Sequence, residues 1–265
     1  MSDITSYFTR VNLSLNRYGP IPLLFFGTIG NFLNLFIFTR KTFRNNICVI
    51  YFLASTISDA FMIAAGLLSR VLNGFGYDIA QNSSILCKLR IFTTYYTGYA
   101  SAWFISFACI ERYLSSSTDV QKRQFVTKKH TYISIIFVIL FGFIAFGEQF
   151  YCMDINQNLL GGPQSCYQLQ LNVSCQIADS LMQFFFQILA PAIMMIIFGL
   201  LIVRNIRRKR MRTGVGQQTT TQHTAQEEET TARTPAVTVE FNRTIQKRDA
   251  QLITMLLIQV KKIIL

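Results

Sequence analysis

Three ionisable residues stand at the edges or in the middle of long apolar runs. Asp59 lies inside one run, and Glu111 and Arg112 sit side by side at the end of another, with Tyr113 next. A carboxylate surrounded by hydrocarbon is costly and needs a partner, a bundle interior or a water-filled cavity. Asp59 therefore reads as an internal ion or proton site, or else as a polar packing residue. Asn31, Asn34 and Ser101 offer neutral oxygens for the same network. A half-buried acid–base pair costs desolvation and yields little net stability. Glu111 and Arg112 thus suit a lock that specifies one packing over another, the bland reading being a charge anchored at an interface. The residue types exclude most chemistry. There is no nucleophile–base pair, metal triad or glycine-rich phosphate loop, no CxxC among the 6 cysteines, and the 2 histidines, His130 and His223, are far apart. The reading is of a protein that is not an enzyme, with no cofactor and no metal site built on these residue types.

The elements that must hold these residues are apolar helices. The chain has 265 residues, 51% hydrophobic and 14% charged, with a mean hydropathy of +0.34. Soluble domains carry about 25% charged residues. The apolar residues come in blocks of about twenty, enough for a helix to cross a bilayer core. The blocks predict an all-α membrane protein with five complete spans, at about 18–39, 48–70, 88–113, 131–151 and 177–203, and the start of a sixth at 250–265. Residues 1–17 form a polar N-terminal tail that is no cleavable signal peptide. Residues 204–249 read as a flexible loop, basic at first and then rich in Thr, Gln and Glu.

The formal net charge of +12 does not point to nucleic acid, because the bases cluster between alternate spans. Arg40, Lys41 and Arg44 follow span one, Lys122, Arg123, Lys128 and Lys129 follow span three, and "RNIRRKRMR" follows span five. The positive-inside rule then places the N-terminus outside. Sequons at Asn12, Asn82 and Asn172 all fall on that outer side and are glycosylation candidates. Cys87, Cys152, Cys166 and Cys175 lie on the outer, oxidising side, where a bridge between Cys87 and Cys166 would tether the long loop and other pairings stay open. Cys48 and Cys109 read as apolar packing residues.

The chain resembles the rhodopsin-like (class A) G-protein-coupled receptors. The resemblance rests on Glu111-Arg112-Tyr113 at the end of span three, Cys87 25 residues before Arg112, Gly30-Asn31 in span one, Leu53, Ala54 and Asp59 in span two, and Pro191 in span five. It covers about Ile21 to Val260 and implies a seven-transmembrane receptor bundle, a rhodopsin-like domain over 18–260, in the plasma membrane. It also implies a Cys87–Cys166 disulfide and an activation switch at Glu111, Arg112 and Tyr113. An internal sodium site at Asp59 and Ser101, and Pro191 as a helix-packing switch, follow from the same likeness. The implied partners are an extracellular ligand, membrane lipids and a heterotrimeric G protein reached by opening of the inner face.

The departures are specific. Span four lacks the family's tryptophan, and Gly199 stands where a tyrosine is usual. The Cys-Trp-x-Pro and Asn-Pro-x-x-Tyr segments are not found before Leu265. A receptor truncated in its sixth helix is expected, and a non-signalling receptor is then an alternative. A transporter or channel built on Asp59 is a weaker one, since neither broken helices nor inverted repeats are seen. Thr94 occupies the place where amine receptors carry an aspartate, so no counter-ion for a charged amine is evident. Thr94, Tyr95, Tyr99, Glu148 and Gln149 are the ligand-pocket candidates, and the aromatic outer face is closer to a neuropeptide receptor.

Overall fold

A computed structural model describes residues 7, 11, 14, 17–41, 46–75, 77, 83–117, 119–155, 157–159, 162–164, 166–168 and 173–223. The expected start of a sixth span and the sequons at Asn12, Asn82 and Asn172 lie outside the described residues. The chain divides into a unit Met1–Ile202 and a unit Val203–Leu265.

In the first unit, helix α1 spans Pro20–Phe38, with proline in its first turn where the amide has no helical partner anyway. Helix α2 spans Ile47–Gly74, and the Asn46 side chain caps it by accepting from the Cys48 amide at 3.1 Å. Helix α3 covers Ser84–Ser116, the short α4 Val120–Gln124, α5 Lys128–Phe146 and α6 Gln149–Cys152. Asp119 caps α4, and Thr127 caps α5. Helix α7 begins at Val173 and carries Pro191. Two wide π turns interrupt the α-helical pitch, at Ile63–Leu68 in α2 and Gln183–Leu189 in α7. The second precedes Pro191 and loosens the backbone where the ring removes an amide donor.

The helices follow the sequence reading, with three differences. Four of them, Pro20–Phe38, Ile47–Gly74, Lys128–Cys152 and Val173–Arg208, are long and apolar enough to cross a membrane, against five expected. The exception, α3, is 33 residues long but more polar, because it is the central helix. It packs on α2, α5 and α7, so its serines, threonines and tyrosines face protein rather than lipid. By contrast, Phe26 is 71% and Ile144 81% exposed, apolar surface that suits hydrocarbon and would be a liability in water.

The second difference is in the segment 204–249. Helix α7 runs on as Ala190–His223, so the first twenty residues of that expected loop are helical. "RNIRRKRMR" is rich in good helix formers and holds no proline. The third is the long loop after α6, which holds two short β pairs that the sequence reading did not assign. β1 (Met153–Asp154) pairs antiparallel with β4 (Tyr167–Gln168), and β2 (Gln157–Leu159) with β3 (Gly162–Gln164).

Candidate functional site

Three polar groups lie along α3, and each is positioned by helical spacing. Near the middle, Ser101 donates to Asp59 on α2 at 2.7 Å and lies 2.9 Å from the hydroxyl of Ser55, one turn before Asp59. Ser55 and Ser101 are buried, so a water-poor column of hard oxygens runs between α2 and α3. Asn31 is buried on α1, and its Oδ1 has no hydrogen-bond partner among the described residues. The Asp59 carboxylate and the Ser55 and Ser101 hydroxyls are hard oxygens held together between α2 and α3. No group of three His, Cys, Asp or Glu suited to a metal occurs among the described residues.

At one end of α3 stand Glu111, Arg112 and Tyr113. The Cys48 thiol, fully buried at the start of α2, lies against both Glu111 and Arg112 and points its S–H toward the Ala108 carbonyl at 3.8 Å. Tyr113 packs on Phe198 of α7, ring centres 5.5 Å apart. Glu111 also lines a cavity of about 150 Å³ together with Tyr51, Phe107, His130 and Ser134. Glu111 on α3 is therefore seated beside α2 and the α4–α5 turn.

At the other end are the disulfides. Cys87, in the first turn of α3, bridges Cys166, and Cys152 at the end of α6 bridges Cys175 at the start of α7. The pairing that sequence left open is thus resolved, with Cys48 and Cys109 free and buried. In β1, Asp154 accepts from the Ser84 hydroxyl at 2.7 Å and from the Ile155 amide at 2.8 Å. These bonds hold its carboxyl below the usual carboxylate range.

The ligand-pocket candidates part ways. Thr94 and Tyr95 are half-buried on α3, and Thr94 bonds back to the Arg90 carbonyl at 2.8 Å. Tyr99 is instead a packing residue, 1% exposed and wedged between α3 and α5 against Phe146 and Gly142. The physical reason is Gly142, whose missing side chain leaves the slot that the ring fills. Gln149 is fully buried, and its Nε2 donates to Asp179 on α7. Glu148 is half-buried beside it, near enough to Asp179 for repulsion between the two acids.

Sequence reasoning missed Asp179 and Gln183, whose Nε2 donates to Asp179 at 3.0 Å. Cys175, Asp179 and Gln183 recur every four residues, one face of a helix, and that spacing was the available signal. Pro191 is fully buried, and its carbonyl receives the Ser106 hydroxyl at 3.4 Å. At Gly199, where the family usually has tyrosine, an added Cβ would meet nothing within 4 Å.

No curated protein matches the chain at a significant level. The family model for the 7 transmembrane receptor (rhodopsin family) matches residues 30–259. That stretch includes Asp59, the Cys87–Cys166 bridge, Glu111-Arg112-Tyr113 and Pro191, and the chain is a multi-pass membrane protein with a receptor role rather than an enzyme. It belongs to the rhodopsin family of seven-transmembrane receptors.

Proposed function

We propose that the chain is a plasma-membrane receptor, N-terminus outside, that takes an extracellular peptide at the disulfide end. Peptide binding then drives nucleotide exchange on a heterotrimeric G protein at the Glu111-Arg112-Tyr113 end. The supporting observation is the layout of α3, with a tethered loop at its first turn, a half-buried Asp59–Ser101 pair midway and the acid–base pair at its last turns. A ligand acts by binding one packing better than another. Arg112 is the residue whose partners change between the two packings. Glu111 and Cys48 hold it in one of them.

The oxygens of Asp59, Ser101 and Asn31 would hold a sodium ion, which supplies a positive charge that favours the closed packing. Ser55 would orient Ser101 toward it. The test is Arg112→Gln in cells expressing the full chain, with surface display read by an N-terminal tag and nucleotide exchange read on co-expressed G proteins. Exchange should fall to background with display retained. Undiminished exchange in the variant would overturn the role of Arg112.

A further inference from the structure

Six of the nine residues from Arg204 to Arg212 on α7 are basic, and five of those six are arginine. The helix backbone runs unbroken through them to His223. Nine residues occupy about 13 Å of helix, so the charges are crowded. Arg204, Arg207 and Arg208 are exposed and lie three and four residues apart, the spacing at which like charges repel along a helix face. The helix itself offers no offset, since no Asp or Glu occurs between Asp179 and Glu227. The helix end, where a cation gains from the dipole, is about four turns beyond Arg208.

The position of the cluster selects its partner. Ile196, Leu200, Arg204 and Arg208 recur every four residues, one row along the helix, and all four are exposed. The row passes from side chains suited to hydrocarbon to guanidinium groups within one turn. A surface that changes so sharply belongs where acyl chains meet headgroups. A lysine ammonium is a point charge, whereas a guanidinium makes paired N–H···O bonds to phosphate oxygens. The arginine excess therefore favours a phosphate-rich headgroup over a carboxylate-bearing one.

We infer that Arg204, Arg207 and Arg208, followed in the chain by Lys209, Arg210 and Arg212, form a site for a polyphosphorylated inositol headgroup of the inner leaflet. Basic runs at the inner end of a span attract such lipids. A bound headgroup would neutralise the repelling arginines and hold this stretch of helix at the membrane surface. The site goes beyond the receptor reading and takes from it only the orientation that puts this end of α7 inside.

The test uses the full chain, purified in uncharged detergent and measured by native mass spectrometry with phosphatidylinositol bisphosphate or phosphatidylserine added. The bisphosphate should form adducts at concentrations where phosphatidylserine forms none. Each arginine near a charged surface is worth about fivefold in affinity. Arg204→Gln, Arg207→Gln and Arg208→Gln together should therefore weaken binding about a hundredfold. Lys122→Gln, Arg123→Gln and Lys129→Gln, an equal loss of charge on α4 and α5, should change it little. Equal adducts with both lipids, or equal losses in the two triple variants, would overturn the site. Should the first variant fail to purify, Arg204→Lys, Arg207→Lys and Arg208→Lys keep the charge and should still bind severalfold more weakly. Undiminished binding there would overturn it as well. Adducts in detergent do not depend on which way the chain is inserted, so an N-terminal tag found inside the cell would sink the orientation alone.

Discussion

The indole N–H of Trp103 on α3 donates a 2.8 Å hydrogen bond to the main-chain carbonyl of Phe186 in the π turn of α7. A π turn departs from the i+4 bonding of the α-helix, and this indole bonds within that stretch. The bond therefore couples the centre of α3 to the irregular stretch that precedes Pro191.

Replacing Trp103 by Phe keeps a ring in place but removes the donor. The thermal stability of the solubilised protein should drop by about 1 kcal/mol, the net worth of one such bond. An unchanged melting midpoint would mean the bond contributes nothing.

Two glycines of α3 and α5 should respond differently to Ala. At Gly142 the new Cβ would stand 2.5 Å from a ring carbon of the buried Tyr99, which has nowhere to go. Overpacking of this kind costs about 1–3 kcal/mol. At Gly98 the closest atom, at 2.6 Å, is the end of the Gln187 side chain, which can swing aside. Melting curves of the two variants should therefore separate, with Gly98→Ala near the unmodified protein. Equal losses would refute this ordering.

Asp59→Asn removes the carboxylate from the oxygen column while keeping its shape. If a sodium ion binds there, sodium chloride should raise the melting midpoint of the unmodified protein above that in choline chloride, and the variant should show no difference. A sodium effect that persists in the variant would place the ion elsewhere.

The two disulfides close loops with sequence separations of 79 and 23 residues. Chain-closure entropy predicts that breaking Cys87–Cys166 costs about 1 kcal/mol more than breaking Cys152–Cys175. Surface display of Cys87→Ser should accordingly be lower than that of Cys175→Ser. The reverse order would show that the shorter bridge carries the larger share.

Ser84 and the Ile155 amide favour the charged form of Asp154, so its carboxyl titrates lower in the folded protein than in the unfolded chain. The stabilisation is fully present above the unfolded value of about 4, and is lost as pH falls through the lower native value. The group is only half-buried, so the effect is small and local. Hydrogen exchange at the Ile155 amide should quicken in that acid window, and Ser84→Ala should move the window upward. An unmoved profile would rule out Ser84 as the cause.

Much of the bundle was legible because hydrocarbon imposes a simple length and apolarity rule, which α1, α2, α5 and α7 obey. Helix α3 obeyed it less because its neighbours are protein. Asp59 was legible as needing polar company at depth, but Asn31, Asn34 and Ser101 were equal candidates by residue type, and the resemblance singled out Ser101, which bonds to it. Tyr99 was not, because its surroundings depend on Gly142, 43 residues away, and nothing local to Tyr99 distinguishes a ligand-facing ring from a packed one. Asp179 was hidden by its position at the start of an apolar block, where an acid is unremarked until Gln149 arrives opposite it. The helical extension to His223 was masked by polar composition, which says little about backbone when the preceding turns are already formed.

The covalent bridge between Cys152 and Cys175 makes α7 behave as a lever hinged at one tip. Its first turn is fastened to the end of α6, so the tip there cannot drift. Twenty residues of helix measure about 30 Å, and a tilt of about 10° about such a hinge sweeps the far end through about 5 Å. Adjustments too small to disturb the cluster around Asp179 thus become displacements comparable to a helical turn beside Tyr113 and Phe198. The bridge converts where the chain is fixed into where it can amplify.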